Sequence, residues 1–133
     1  MSLQIAQHLF DEMLAHARAD APNECCGVMG TRDGAAERFY PATNIYASPL
    51  RYEIDGAELL RIYNDTSERD LEMGLIYHSH TRSAPYPSQT DINLAKGWPD
   101  AVYVIVGLAG EDPEVRAYAI RDGQVTDVEL HVG

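Results

Sequence analysis

Two histidines one residue apart, His78 and His80, are the most informative feature of this sequence. They end an apolar run, Met73–His80, that predicts a buried strand. Alternate residues of a strand face the same side, which places the two Cα atoms roughly 6–7 Å apart. Both imidazoles can then bind one metal ion at about 2.0–2.1 Å. The pair predicts half of a metal site, although two ordinary histidines on a strand fit the same pattern.

Ser88 and Asp91 follow the loop Thr81–Pro87 and mark the start of a short helix. Their three-residue spacing is that of a helix capping box. The same spacing lets the helix carry Asp91 towards the histidines as a third metal ligand. Two histidines and one carboxylate leave a fourth tetrahedral position for water, as catalytic zinc sites do. The capping and ligand interpretations are compatible, since a cap fixes the start of the helix.

Hydrolysis at such a centre needs a separate carboxylate that moves the proton of the attacking water. Glu24 is the candidate, because it stands where a loop meets the buried strand Cys25–Gly30; a solvated loop acid is the plain alternative. The adjacent Cys25 and Cys26 point to opposite faces of a strand, so a disulfide between them would be strained. We predict two small buried thiols rather than nucleophiles, which fits a reducing cytoplasm.

A mixed set of helices and strands has to position these residues. The predicted helices cover Gln7–Ala19, a segment that starts at Asp55 and fades in Asn64–Asp70, and Ser88–Lys96. The predicted strands are Leu3–Ile5, Cys25–Gly30, Ala36–Tyr40, Arg51–Ile54, Met73–His80, Val102–Leu108, Val115–Ile120 and Gln124–Val132. This order predicts one α+β domain over residues 1–133, with a mostly antiparallel β-sheet flanked by about three helices.

The charge of the chain excludes several classes of partner. A net charge of -11 repels phosphate backbones and anionic lipid, so we expect neither nucleic acid nor a membrane surface as partner. The longest apolar run, Ala101–Val106, is too short to span a bilayer. The first residues, Met1–Gln4, lack the basic region and apolar run of a signal peptide.

The order and spacing of five residues resemble the motif of the JAMM (MPN-plus) metallopeptidases: Glu24, then His78-x-His80, seven residues, Ser88, two residues and Asp91. The resemblance implies the JAMM/MPN fold, which is cytidine-deaminase-like, with a β-sandwich-like sheet. It also implies one zinc ion per chain, held by His78, His80 and Asp91. By the same resemblance, Glu24 is the general base and Ser88 stabilises the tetrahedral intermediate.

The resemblance also implies a substrate class. Members of this family cleave peptide or isopeptide bonds after the C-terminal tail of ubiquitin-like proteins. Thr81 stands where eukaryotic deubiquitinating members usually carry proline. This feature and the short chain are similar to a bacterial subgroup that releases cysteine from a ubiquitin-like sulfur-carrier protein in cysteine biosynthesis.

Three alternatives stay open. The chain could process the carrier of another pathway (thiamine, molybdopterin or siderophore sulfur transfer), remove a ubiquitin-like tag, or act as a scaffold that keeps the fold without the metal. Whether it forms a homodimer is also open.

Overall fold

The computed structural model describes residues 2–133. Its elements in chain order are β1 (Ser2–Ile5), α1 (Gln7–Asp20), β2 (Cys26–Arg32), β3 (Ala35–Ala42), α2 (Gly56–Glu68), β4 (Glu72–His80), α3 (Gln89–Leu94), a 3-10 turn (Ala95–Gly97), β5 (Val102–Gly107), β6 (Glu114–Arg121) and β7 (Gln124–Val132). Three α-helices and a sheet of strands confirm the predicted α+β class.

The strands follow the order β1-β3-β2-β4-β5-β6-β7, and β1 pairs in parallel with both β3 and β7. The pairs β2–β3, β2–β4, β5–β6 and β6–β7 are antiparallel, whereas β4–β5 is parallel. The sheet is therefore mostly antiparallel, as predicted. The expected sandwich-like sheet is instead a closed barrel, because the short strand β1 joins the two strands that would otherwise be its edges.

The helices cover opposite faces of the sheet. Along α1, Leu9, Met13 and Ala17 are buried at four-residue spacing, which gives the helix one apolar stripe. That stripe packs on one face, and α2 and α3 cover the other. The central strand β4 is buried on both faces from Leu75 to His80, so it reads as a continuous apolar run. Within residues 2–133, no helix is long and apolar enough to cross a membrane.

One predicted element was wrong. The predicted strand Arg51–Ile54 is a loop, in which only Ile54 forms a β-bridge, to Asn44. The Arg51 carbonyl and the Glu53 N–H form hydrogen bonds with the Asn44 side chain rather than with a neighbouring strand. Helix α2 ends at Glu68, inside the polar run Asn64–Asp70, as predicted. Most of that run faces solvent, but Thr66 is buried.

Candidate active site

Alternation along β4 directs the two histidines to the face that α2 and α3 cover. Ile76 packs on that face, while Leu75 and Tyr77 pack on the α1 side. His78 and His80, two and four residues after Ile76, share its side of the strand. Both are buried, and their ring centroids lie 4.9 Å apart. The strand thus brings together the two side chains that the sequence predicted as a pair.

Helix α3 brings Asp91 to the same place. The Ser88 hydroxyl accepts a hydrogen bond from the Asp91 N–H at 3.1 Å, and Asp91 Oδ2 accepts one from the Ser88 N–H at 3.0 Å. This reciprocal pair is the predicted capping box. It also aims Asp91 Oδ2 at the histidines, 3.1 Å from His78 Nε2 and 3.1 Å from His80 Nε2. The two Nε2 atoms are themselves 3.1 Å apart.

These three atoms lie in an arrangement that favours a cation. His80 Nδ1 lies 2.8 Å from the Ala84 carbonyl, an acceptor only, so Nδ1 carries a proton and Nε2 presents a lone pair whenever the ring is neutral. That lone pair faces a carboxylate oxygen and a second imidazole nitrogen. One proton can satisfy at most one of the three contacts, whereas a metal ion satisfies all three. Tetrahedral ligands at 2.0–2.1 Å stand roughly 3.3–3.4 Å apart, close to the observed separations.

The charges of the cluster are strongly coupled. Burial raises the pKa of Asp91, but hydrogen bonds from His78 and His80 outweigh it and hold that pKa well below its ordinary value. Burial lowers the pKa of His78. The pKa of His80 is raised, because the hydrogen bonds to Asp91 and Ala84 outweigh the effect of its burial. Without a metal, His80 is thus the ring that shares a proton with the ionised Asp91 carboxylate, and a bound cation would take the place of that proton.

A second layer of residues orients the histidine rings. The ring of Tyr52 stacks on His78 with centroids 4.2 Å apart and an interplanar angle of 20°. The loop that carries Ala84 is held because the Tyr118 hydroxyl donates to the Pro85 carbonyl. Pro85 also packs over Gly107, where an added Cβ would lie 2.9 Å from its ring. The sequence does not predict a role for these residues, since neither an isolated tyrosine nor a loop carbonyl has a metal-binding pattern.

Glu24 reaches the cluster from the start of β2. The partner of His78 across the β2–β4 ladder is Cys26, so Glu24, two residues earlier, faces the same side. One of its carboxylate oxygens and one ring nitrogen of each histidine lie within 4.8 Å of one another. Glu24 is buried, and its Oε1 has no hydrogen-bond partner among residues 2–133. Burial raises the pKa of Glu24 to about 7.

The two cysteines beside Glu24 take no part in this cluster. Both are free and fully buried, as predicted. Burial raises the pKa of the Cys25 thiol to about 12, and it also raises that of Cys26. A thiol with so high a pKa is a poor nucleophile at neutral pH. Neither thiol is therefore a candidate for the acid–base chemistry of the site.

Comparison with known proteins identifies the family of this chain. Residues 6–121 match the model of the prokaryotic homologs of the JAB domain. The CysO-cysteine peptidase of Mycobacterium tuberculosis is 42% identical over 135 residues, which cover 98% of this chain and 90% of that protein. The probable TtuB-protein conjugate cleaving protease of Thermus thermophilus is 35% identical over 123 residues, or 92% and 78% of the two chains.

A solved structure extends the likeness to three dimensions. The solution structure of a Desulfitobacterium hafniense protein superposes with a TM-score of 0.85 at 33% identity, over 98% of this chain and 92% of that one. The family match spans most of the sequence and includes all five residues of the predicted motif. The chain therefore belongs to the prokaryotic JAB-domain branch of the JAMM metallopeptidases.

Proposed function

We propose that this metallopeptidase binds one zinc ion per chain and hydrolyses the bond after the C-terminal tail of a ubiquitin-like sulfur-carrier protein, releasing cysteine. The observation that carries the proposal is the triangle of His78 Nε2, His80 Nε2 and Asp91 Oδ2, with each side 3.1 Å long. A buried carboxylate without a partner, that of Glu24, lies beside it. A ligand set and a separate base are the two components of metal-assisted hydrolysis.

Asp91 rather than Glu24 completes the ligand set in this proposal. Asp91 Oδ2 is as close to each histidine nitrogen as these nitrogens are to each other. Its helix cap fixes it there, and its lowered pKa keeps it ionised. Glu24 retains an oxygen without a hydrogen-bond partner and a pKa of about 7. A pKa near the working pH suits a group that accepts and then returns a proton.

When bound, zinc would polarise the scissile carbonyl and lower the pKa of water in the site. Glu24 then takes a proton from the attacking water at its carboxylate and passes that proton to the amine of the leaving group as the C–N bond breaks. His78, His80 and Asp91 hold the metal and do not exchange protons with the substrate. The rings stay in place because Tyr52 stacks on His78 and the Ala84 carbonyl accepts from His80.

Ser88 supplies the donor for the oxyanion. Its oxygen already accepts the Asp91 N–H at 3.1 Å, which leaves the hydroxyl hydrogen free to donate. The residue is exposed to solvent, so a substrate carbonyl can reach it. A hydroxyl fixed by a helix cap is preorganised to stabilise the negative charge that develops on that carbonyl.

Two features support a carrier tail as the substrate. The relatives at 42% and 35% identity are named for ubiquitin-like carriers, CysO and TtuB. An apolar cleft of about 310 Å³ also adjoins the metal ligands, because Tyr52, which stacks on His78, is part of its wall. The rest of the wall includes Ile45, Ile54, Leu59, Leu94 and Trp98. We assign this cleft to apolar side chains of the carrier tail.

The two free thiols support a reducing compartment, the cytoplasm.

The second candidate is cleavage of a carrier from a protein conjugate, which the Thermus relative favours by its name. A scaffold function fits less well, since the full set of His78, His80, Asp91 and Glu24 is present and converges.

A substrate comparison tests the proposal. A carrier with one added C-terminal cysteine, the same carrier with added alanine, and a carrier joined to a lysine side chain are each incubated with the zinc-loaded protein and followed by intact mass. We expect the cysteine adduct to be cleaved fastest and Glu24→Gln to leave all three intact while zinc stays bound. Preferential cleavage of the lysine conjugate would favour the second candidate. Absence of cleavage in every sample would contradict the proposal.

A further inference from the structure

The backbone around Glu24, residues 22–25, is fixed by hydrogen bonds from two separate parts of the chain; we call it the Glu24 segment. The end of β4 holds one side. The Thr81 hydroxyl donates to the Pro22 carbonyl at 2.8 Å, and the Cys25 N–H donates to the Ser79 hydroxyl at 2.8 Å. The Ser79 N–H in turn donates to the Cys25 carbonyl at 3.2 Å. The strand that carries the histidines therefore also holds the segment that carries the base.

The loop after β3 holds the other side of the Glu24 segment. The Glu24 N–H donates to the Ser48 carbonyl at 2.9 Å, and Asn44 Nδ2 donates to the Glu24 carbonyl at 3.1 Å. Asn44 is only 7% exposed. Its second Nδ2 hydrogen reaches the Arg51 carbonyl at 2.9 Å. Its Oδ1 accepts the N–H groups of two further loop residues, Tyr46 and Glu53.

Asn44 thus uses both donors and both lone pairs of its amide on backbone groups. A buried amide with every hydrogen bond made has a single orientation, and it fixes the backbone groups that it contacts. Two of those groups, at Arg51 and Glu53, flank Tyr52, the residue that stacks on His78. One side chain therefore fixes both the backbone of the base and the residue that packs against a metal ligand.

The Glu24 carboxylate depends on these backbone contacts for its position. Its Oε1 is buried and has no hydrogen-bond partner among residues 2–133, so side-chain hydrogen bonds to this atom do not set where it lies. We propose that Asn44 and Thr81 are positioning residues that hold Glu24 against the metal ligands from opposite sides. This inference rests on the proposed function, in which Glu24 moves the proton. Misplacing a reacting group by about 1 Å can lower a rate about 10²-fold.

Thr81 offers the mildest test, because its side chain is only partly buried and valine has nearly the same shape. With the cysteine-bearing carrier as substrate, Thr81→Val is expected to lower kcat about tenfold at unchanged KM and zinc content. Thr81→Ser, which keeps the hydroxyl, should restore most of the loss. Thr126→Val on β7 is the matched control and should behave as wild type. Wild-type kcat in Thr81→Val would overturn the assignment of Thr81.

Asn44→Asp tests the other side, since it replaces Nδ2, the nitrogen that carries both N–H donors, by an oxygen that faces the Glu24 and Arg51 carbonyls. We expect a kcat loss of about 10²-fold in the folded fraction, and a wild-type kcat there would overturn the assignment of Asn44.

Amide hydrogen exchange in the zinc-free protein tests the positioning proposal without an activity measurement. Exchange of the Glu24 and Cys25 amides should accelerate about tenfold in Thr81→Val, while the β5 amides stay unchanged. Unaltered exchange at both positions would contradict the proposal even if the wild-type protein cleaves no carrier. If the wild-type protein cleaves the carrier and Glu24→Gln does not, the proposed function holds. A wild-type kcat in Thr81→Val and Asn44→Asp would then count against the positioning proposal alone.

Discussion

Replacing Ser88 by alanine removes one oxygen that has two separable functions. As the N-cap of α3, it accepts the Asp91 N–H at 3.1 Å, and such a cap is worth about 1 kcal/mol. For a chain of 133 residues, that loss lowers Tm by roughly 4 °C. In the proposed reaction the same hydroxyl donates to the oxyanion, and loss of one such donor lowers kcat by about 10²–10³. We therefore expect Ser88→Ala to show both effects, with little change in KM.

Two further variants separate the cap from the donor. Ser88→Gly costs only a few tenths of a kcal/mol as an N-cap, so its Tm should stay near wild type while kcat falls as far as in Ser88→Ala. Asp55 caps α2 by accepting the Glu58 N–H at 3.1 Å. Asp55→Ala should therefore lose the same stability without losing kcat. Initial rates from intact-mass time courses and thermal melts measure the two quantities. A wild-type kcat in Ser88→Ala would leave Ser88 as a helix cap only and refute its catalytic assignment.

Three other perturbations follow from the structure. Gly27→Ala would place a Cβ against the ring and hydroxyl of buried Tyr77 and should cost about 1–3 kcal/mol in chemical denaturation. Gly56→Ala, with no atom within 4 Å, should be neutral or slightly stabilising. Asp91→Asn keeps an oxygen for the helix cap but loses the charge of a metal ligand. We expect less zinc per chain by elemental analysis and a smaller drop in Tm when a chelator is added. Unchanged zinc content would remove Asp91 from the ligands. A hydrogen bond from a tyrosine hydroxyl and then two arginines hold the pKa of Asp65 below its ordinary 3.8. That carboxylate stabilises the fold above its unfolded pKa and loses the effect as pH falls through its folded pKa, so Asp65→Asn should lower Tm at pH 7, and by progressively less as the pH is lowered below 3.8.

The parts of the site that lie close together in the sequence were predictable from local rules. Strand alternation gave the pairing of His78 and His80, and capping chemistry gave the start of α3 at Ser88 and the direction of Asp91. Glu24 lies far from them in sequence and reaches them only through the β2–β4 ladder, in which Cys26 faces His78. No local pattern specifies that pairing, so the position of Glu24 before a buried strand made it only a candidate, and the family resemblance gave it the role of general base.

The features that were missed depend on irregular segments and on non-local pairing. The loop with Asn44 and Tyr52 has one bridge and no periodicity, and its conformation is set by a buried amide rather than by a repeating apolar pattern. Closure of the barrel depends on β1, a strand of four residues. Its parallel pairing with β7 brings together the two ends of the described chain, a contact that local propensity does not report.

The most direct test of the central claim is intact-mass analysis of a sulfur carrier bearing one extra C-terminal cysteine, incubated with the wild-type protein before chelation, after chelation and after zinc is restored. We expect the carrier to lose a single cysteine in the first and third samples and to stay intact in the second. Cleavage that persists after complete removal of zinc would contradict the central claim. An intact carrier in all three, with zinc bound at one ion per chain, would contradict the assigned substrate.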